Sequence, residues 1–390
     1  MQKSQTFGEI TIEEFLEQYW QKKPFLIRQA FPNITPLIPA DELAGLACEE
    51  GVESRLIIQH DNGEKWDLQH GPFNEEKFSE LDKLPSNSNW TLLVQAVDHW
   101  LPEAAEFLQQ FNFIPNWRAD DLMISYANEG GGVGPHYDNY DVFLLQAEGK
   151  RRWETGGNFD QNSSRRTDTD VLILDQFTSE KSWVLEPGDM LYLPPQVGHN
   201  GVAVGDGCMT YSVGFRAPSH SELLTSFADA MSDHLSNEDR YIDPDLKLQK
   251  NAGEISSQTI LNIKKIITEY SQNDDLISDW FGRFVTQPKY RNDLDNNMQC
   301  SLKDLIQHQK DGGLISRNEG SRFSFVKKQQ QISLFVDGNN FECDHEMMSL
   351  IELLCENTQF NLSLFEGDQK SLLLIRDLVV QGSLYPYSSK

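Results

Sequence analysis

Positive charge is scarce in this chain. Its 390 residues carry 33 Lys and Arg against 60 Asp and Glu, a formal net charge of −27. Such a surface repels phosphate backbones, so direct binding to DNA or RNA is not expected, whereas a basic protein partner would be drawn in. Cysteine is scarce as well. Cys48, Cys208, Cys300, Cys343 and Cys355 are odd in number and scattered, without CxxC spacing. That argues against a disulfide framework or a thiolate zinc site, and predicts a reducing compartment, the cytoplasm. No stretch approaches the roughly 18 apolar residues of a membrane span, and Met1–Gly8 is polar, without the apolar centre of a secretion signal. The glycine run Gly130 to Gly134 lacks the GK[ST] ending of a phosphate loop. Its glycines are expected to let the backbone pass close to a substrate.

What is present supports real cores: 38% of residues are hydrophobic, with 22 Phe, in a chain long enough for two or three domains. Thr11-Ile12-Glu13-Glu14 resembles a capping box, and Pro24 ends the helix it opens before a short strand, Phe25-Leu26-Ile27. Helical pieces are expected over 40–49 and 89–111. From Asp120 to Phe215 short alternating segments are broken by Gly, Pro and Asn, the rhythm of a β-barrel or double-sheet jelly roll. Within it, 142–146 and 151–155 read as the two arms of a hairpin turning at Glu148-Gly149. After Pro218 the pattern turns helical over 222–235 and 257–271. Two such helices bury little on their own and are expected to pack against a second copy or another domain. From about 277 helices and strands alternate.

The most informative segment is His136-Tyr137-Asp138. In extended chain, residues i and i+2 face the same way, so an imidazole and a carboxylate are aimed at one point. His199, after the Pro- and Gly-rich stretch 187–198, offers a third ligand. Two histidines and a carboxylate on one side of an ion make the facial triad of non-haem Fe(II) sites, with positions left open. On the strand that follows, Arg151 and Trp153 share one face and Arg152 takes the other. A buried guanidinium near the metal would grip a carboxylate through two parallel hydrogen bonds. The remaining histidines, His60, His70, His99, His220, His234, His308 and His345, lack partners at ligand spacing and read as structural.

These motifs carry a resemblance. Tyr19 to Arg28, Asp120 to Ser125, the His136–Asp138 segment, the Arg151 strand and Tyr211 to Arg216 together resemble the JmjC-type 2-oxoglutarate oxygenases, and within them the bacterial ribosomal oxygenases. The resemblance implies an α+β architecture: a double-stranded β-helix (the cupin jelly roll) over 1–217 with helices at its start, a helical dimerisation region over 218–276, and a winged-helix-like domain over 277–390. It implies Fe(II) held by His136, Asp138 and His199, 2-oxoglutarate anchored by Arg151, O₂ as the second cosubstrate, and succinate and CO₂ as products. The substrate implied is an arginine β-carbon of ribosomal protein sixteen of the large subunit. Relatives that share these ligands act on a histidine or a methylated lysine, and a cupin-like scaffold that only binds is a third reading. For the substrate guanidinium, Asp120 and Asp121 at the barrel mouth are candidate partners, with Asn139 and Ser212 on neighbouring strands. A small hydroxyl that relatives place near the cosubstrate has no counterpart at Ala127 or Asn128, so the second 2-oxoglutarate contact stays open.

Overall fold

The structure, a computed structural model, describes residues 6–81, 83–290 and 299–387. The first five residues of the polar start therefore lie outside the described residues. The chain divides into two compact units, 1–217 and 218–390.

Unit one holds β1 (Thr6–Phe7), β2 (Ile10–Thr11), α1 (Ile12–Gln18), β3 (Phe25–Ile27), α2 (Ala40–Leu46), β4 (Ser54–His60), β5 (Lys65–His70), α3 (Glu75–Leu81) and β6 (Asn89–Val94). There follow α4 (Pro102–Leu108), β7 (Ala119–Ala127), β8 (Asp141–Asn158), β9 (Lys181–Leu185), β10 (Met190–Leu193) and β11 (Val197–Phe215). The main sheet runs β3-β10-β8-β11-β7-β6-β4-β5, with β9 added to β8. Neighbouring strands are antiparallel throughout. This is the jelly-roll class expected from the strand rhythm.

The start of α1 follows its sequence signal. Thr11 accepts a hydrogen bond from the Glu14 backbone while the Glu14 side chain accepts from the Thr11 backbone, closing both ends of the capping box. The helix brings Phe15, fully buried, against Phe143 and Tyr192. Just beyond it lies a polar anchor. Asp141, fully buried at the start of β8, accepts from Tyr192 Oη (2.6 Å), Gln21 Nε2 (2.9 Å) and Arg118 Nη2 (3.0 Å). A buried carboxylate is tolerable only with such partners. The anchor fixes the chain three residues after Asp138.

Two expectations are corrected here. The segment 89–111 is not one helix: 89–94 is strand β6, and α4 begins only at Pro102. Thr91-Leu92-Leu93-Val94 is buried on both faces, and a short apolar run of that kind has no period to separate strand from helix. Nor is there a hairpin at Glu148-Gly149. β8 runs unbroken over 141–158 and pairs along its length with β11. Gly149 bends the strand instead of reversing it: its φ is +63°, and a Cβ there would lie 2.5 Å from the Gly207 carbonyl oxygen.

Unit two contains α5 (His220–Ser232), α6 (Ser257–Ser271), α7 (Asp274–Thr286), α8 (Leu302–Lys310), β12 (Leu314–Arg317), β13 (Phe323–Lys327), β14 (Ile332–Val336), β15 (Asn339–Cys343), α9 (Met348–Glu356), β16 (Gln359–Asn361), α10 (Gln369–Gln381) and β17 (Leu384–Tyr387). Strands β13-β14-β15 and β16-β12-β17 form two small antiparallel sheets. Leu305, Ile332, Leu350, Ile351, Ile375 and Leu378 close a core of their own. α7 runs without interruption through 276, where the helical region was expected to end. α6 buries no residue despite its apolar positions. No described helix is long and apolar enough to cross a membrane.

Candidate functional site

Unit one encloses a cavity of about 450 Å³ whose wall is built from β4, β5, β6, β7, β8, β11, the 133–140 segment and the 165–172 segment. His136 and His199 are brought together by the backbone itself. His136 N donates to His199 O (2.9 Å), and His199 N donates to His136 O (2.8 Å). The two imidazoles stand 4.1 Å apart between centroids. Asp138 Oδ2 lies 3.6 Å from His199 Nε2. One ligand atom from each of the three falls within 4.8 Å of the others.

The donor set suits a divalent ion. His136 Nδ1 lies 2.9 Å from the Gly134 carbonyl oxygen and His199 Nδ1 lies 3.0 Å from that of Val197. A carbonyl only accepts, so each ring carries its proton on Nδ1 and turns the Nε2 lone pair inward. Burial, then the neighbouring His136, push the His199 imidazole down to about 4, so it is neutral at physiological pH. The Tyr140 hydroxyl donates to the Asp138 carboxylate, and burial followed by the charge of Asp138 holds that phenol well above its usual range.

Arg151 occupies the wall of the same cavity and is 3% exposed. Its Nη1 donates to the Gly201 carbonyl oxygen (3.3 Å), while Nε and Nη2 have no hydrogen-bond partner. What aims it inward is a bulge. Val142 and Leu144 line the cavity from the first half of β8, Arg151 and Trp153 from the second. The inward set therefore changes from even to odd numbers, across register shifts opposite Val204–Thr210 of β11. Without that extra residue Arg152 would face the cavity in place of Arg151.

The predicted substrate contacts fare unevenly. Ser212 lines the cavity. Asp121 is buried and its carboxylate accepts from Gln95 Nε2 (2.7 Å) and the Ala96 amide (3.1 Å), so the protein itself occupies it. Asp120 is half-buried and Asn139 exposed, and neither is part of the cavity wall. The wall carboxylates are Asp138 and, on the 165–172 segment, Asp170, which sequence reasoning missed. Ser125 and Thr210, a cross-strand pair with hydroxyls, also line the wall. Ala127 is buried core, and Asn128 Oδ1 accepts from the Trp90 amide (2.7 Å). Ser125 shares the face of Ala127 two positions earlier, and that period-two step was the missed signal. Within the glycine run close packing leaves no room for side chains: a Cβ on Gly132 would sit 2.3 Å from the Gly201 carbonyl oxygen, and one on Gly131 2.3 Å from that of Trp90. His70 lines the cavity, but stands outside the three-ligand cluster.

Comparison with known proteins agrees with this geometry. Residues 106–223 match the JmjC domain and residues 269–385 the ROXA-like winged helix. The chain is 41% identical over 281 residues to the ribosomal protein uL16 3-hydroxylase of Escherichia coli, covering 72% of this chain and 73% of that one. It is 34% identical over 289 residues to a probable ribosomal oxygenase of Haemophilus influenzae, covering 71% and 68%. The E. coli ribosomal oxygenase YcfD solved with cobalt and 2-oxoglutarate superposes with a TM-score of 0.84 at 33% identity, over 96% of this chain and 98% of that one.

Proposed function

The chain belongs to the JmjC-domain ribosomal oxygenases, and from that membership we propose that it hydroxylates an arginine of ribosomal protein uL16 at the β-carbon, using Fe(II), 2-oxoglutarate and O₂. The single observation that carries the reading is Arg151, a buried guanidinium with two unpaired N–H groups in the cavity that also holds two imidazoles and a carboxylate at ligand spacing. A buried cation with free donors is costly unless an anion completes it. A dicarboxylate that chelates a metal at one end and meets Arg151 at the other satisfies both halves of the site.

His136, Asp138 and His199 would hold the ferrous ion. Bound there, it supplies O₂ activation coupled to the oxidative decarboxylation of 2-oxoglutarate to succinate and CO₂, with the second oxygen atom delivered to a substrate C–H bond. Arg151 would fix the far carboxylate with a planar fork, and Ser125, whose hydroxyl makes only a long bond (3.4 Å) to the Thr210 carbonyl, is the hydroxyl of the same wall that would assist it. Val142, Leu144, Ile57, Leu93 and Val171 form apolar wall that keeps water away while the target carbon is held. Asp170, with its charge not committed to the metal, is placed to receive the substrate guanidinium. Asp138 is held in orientation by Tyr140.

Two further elements of the proposal concern partners. The 218–276 stretch leaves Leu224, Ile242, Leu246, Leu248, Ile255 and Ile267 more than 60% exposed, an apolar surface that supports pairing of two copies. In the winged-helix unit Lys327 and Lys328 are taken by Glu352 and Glu342, which fits an acidic protein that draws in a basic ribosomal protein and not nucleic acid. Work on a ribosomal protein would place the enzyme in the cytoplasm.

The test is anaerobic loading with Fe(II), 2-oxoglutarate and a uL16 peptide, then admission of air. One added oxygen on arginine, matched by succinate, is expected. Oxygen on histidine, or released formaldehyde, would point to the other side chains on which such ligands act. His136→Ala protein that turned over 2-oxoglutarate at the parental rate would remove the metal assignment.

A further inference from the structure

Trp153 has a feature the oxygenase chemistry above does not use. It is 5% exposed, its ring forms part of the cavity wall, and its indole N–H has no hydrogen-bond partner. A buried donor left unpaired costs free energy, and where its side chain borders a ligand-sized cavity the natural reading is that a ligand completes it. The ring has little room to turn away, since a Cβ on Gly201 would meet it at 2.6 Å.

Its position narrows the ligand. The Trp153 ring lies 5.9 Å from the His199 imidazole between centroids, and the Arg151 guanidinium carbon lies 5.8 Å from the Trp153 ring. The indole is therefore a near neighbour of both a metal-ligating imidazole and the guanidinium, so a ligand that reaches from one to the other passes near it. Arg151 supplies two free donors and Trp153, two residues on along the same face of β8, supplies a third.

We infer that the indole N–H of Trp153 donates a hydrogen bond to a carboxylate oxygen of the bound cosubstrate, making Trp153 a binding residue for 2-oxoglutarate alongside Arg151. The inference rests on the proposed 2-oxoglutarate chemistry and adds to it a second neighbouring donor. The neighbouring apolar groups Val142, Leu144, Leu185, Leu191 and Leu193 pack with the indole, so the bond forms in low-dielectric surroundings, where a charged acceptor counts for more.

Trp153→Phe keeps an aromatic ring and removes the donor. With Co(II)-loaded protein, calorimetry is expected to show 2-oxoglutarate binding weakened by about tenfold or more, with Co(II) affinity and melting temperature close to the parental values. Equal 2-oxoglutarate affinity in parent and variant would overturn the inference. Parent protein that bound no 2-oxoglutarate would instead overturn the proposed function, so the two failures are distinct. Should the variant fold poorly, the unmodified Zn(II)-loaded protein decides. With its indole nitrogens labelled, one of eight tryptophan N–H resonances is expected to shift when 2-oxoglutarate is added, and none moving would count against the inference.

Discussion

At the scale of single residues the site is built at the expense of stability. Arg151 is buried with two donors unpaired, a state that an apolar side chain of similar length would relieve. Arg151→Met is therefore expected to raise the unfolding free energy of the ligand-free protein by roughly 1–3 kcal/mol while abolishing 2-oxoglutarate binding. Arg151→Lys keeps the charge but loses the fork, and the 2-oxoglutarate KM is expected to rise about tenfold or more with Fe(II) affinity unchanged. Thermal melts with and without cosubstrate check both, and a destabilised Arg151→Met protein would contradict the account. Asp170 gives a second residue-level prediction. Asp170→Asn is expected to raise the KM for the arginine peptide about tenfold, with 2-oxoglutarate affinity unaffected; an unchanged peptide KM would return the guanidinium to some other partner.

The residue scale is also where the sequence was most legible. His136 and Asp138 were found because extended chain makes i and i+2 share a face, a rule that holds whether or not the segment belongs to a named strand, and His199 because such a pair needs a third ligand and the Pro- and Gly-rich stretch before it suits a strand end. Asp121 was read as open to a substrate because a strand-end carboxylate looks available until its neighbours are known. The donors that occupy Asp121, on Gln95 and Ala96, come from a turn some 25 residues earlier in the chain. Asp170 lies in the long segment between β8 and β9, where no period marks a residue as inward.

Among the elements, the long strands β8 and β11 decide the site, and here sequence reading failed for a physical reason. Glu148-Gly149 has the local look of a turn, but pairing along the whole of β11 outweighs that preference and leaves a bend with a bulge. Gly149→Val is expected to destabilise the protein by several kcal/mol, because it combines a positive φ with a clash against the Gly207 carbonyl. Because the bulge sets which residues of β8 face inward, cosubstrate binding should suffer more than metal binding, and a variant that lost both equally would speak against that role. The turn before β10 carries a pH dependence. Burial raises the Asp189 carboxyl, but the amides of Glu186 and Gln29 and the Arg28 guanidinium outweigh it and hold the group below its usual value. A depressed folded value means stability that is present above the unfolded value of about 3.9 and lost as pH falls below it. Urea midpoints between pH 6 and 3 should fall for the parent, and fall less steeply for Asp189→Asn.

On the scale of the whole molecule, charge and an uncovered apolar surface argue together. A net charge of −27 keeps copies apart unless a specific apolar contact outweighs it, and favours encounter with a basic substrate in a salt-dependent way. In the proposed pairing that contact would come from 218–276, where α6 has an amphipathic pattern yet buries none of its residues. An isolated helix of 15 residues is marginal in water, so its apolar face needs a partner to hold it. The parent is expected to sediment as a dimer at micromolar concentration. Ile263→Glu with Ile267→Glu, which adds charge at one spacing of α6, is expected to sediment as a monomer that still binds Co(II) and 2-oxoglutarate, because both positions lie outside unit one, which contains the cavity. A parent that is monomeric throughout, or a doubly substituted protein that still pairs, would show that some other surface covers these residues. Raising salt should tighten the parent dimer by screening its self-repulsion while lowering kcat/KM for the basic substrate. Opposite salt slopes for assembly and turnover would separate the two effects in one protein.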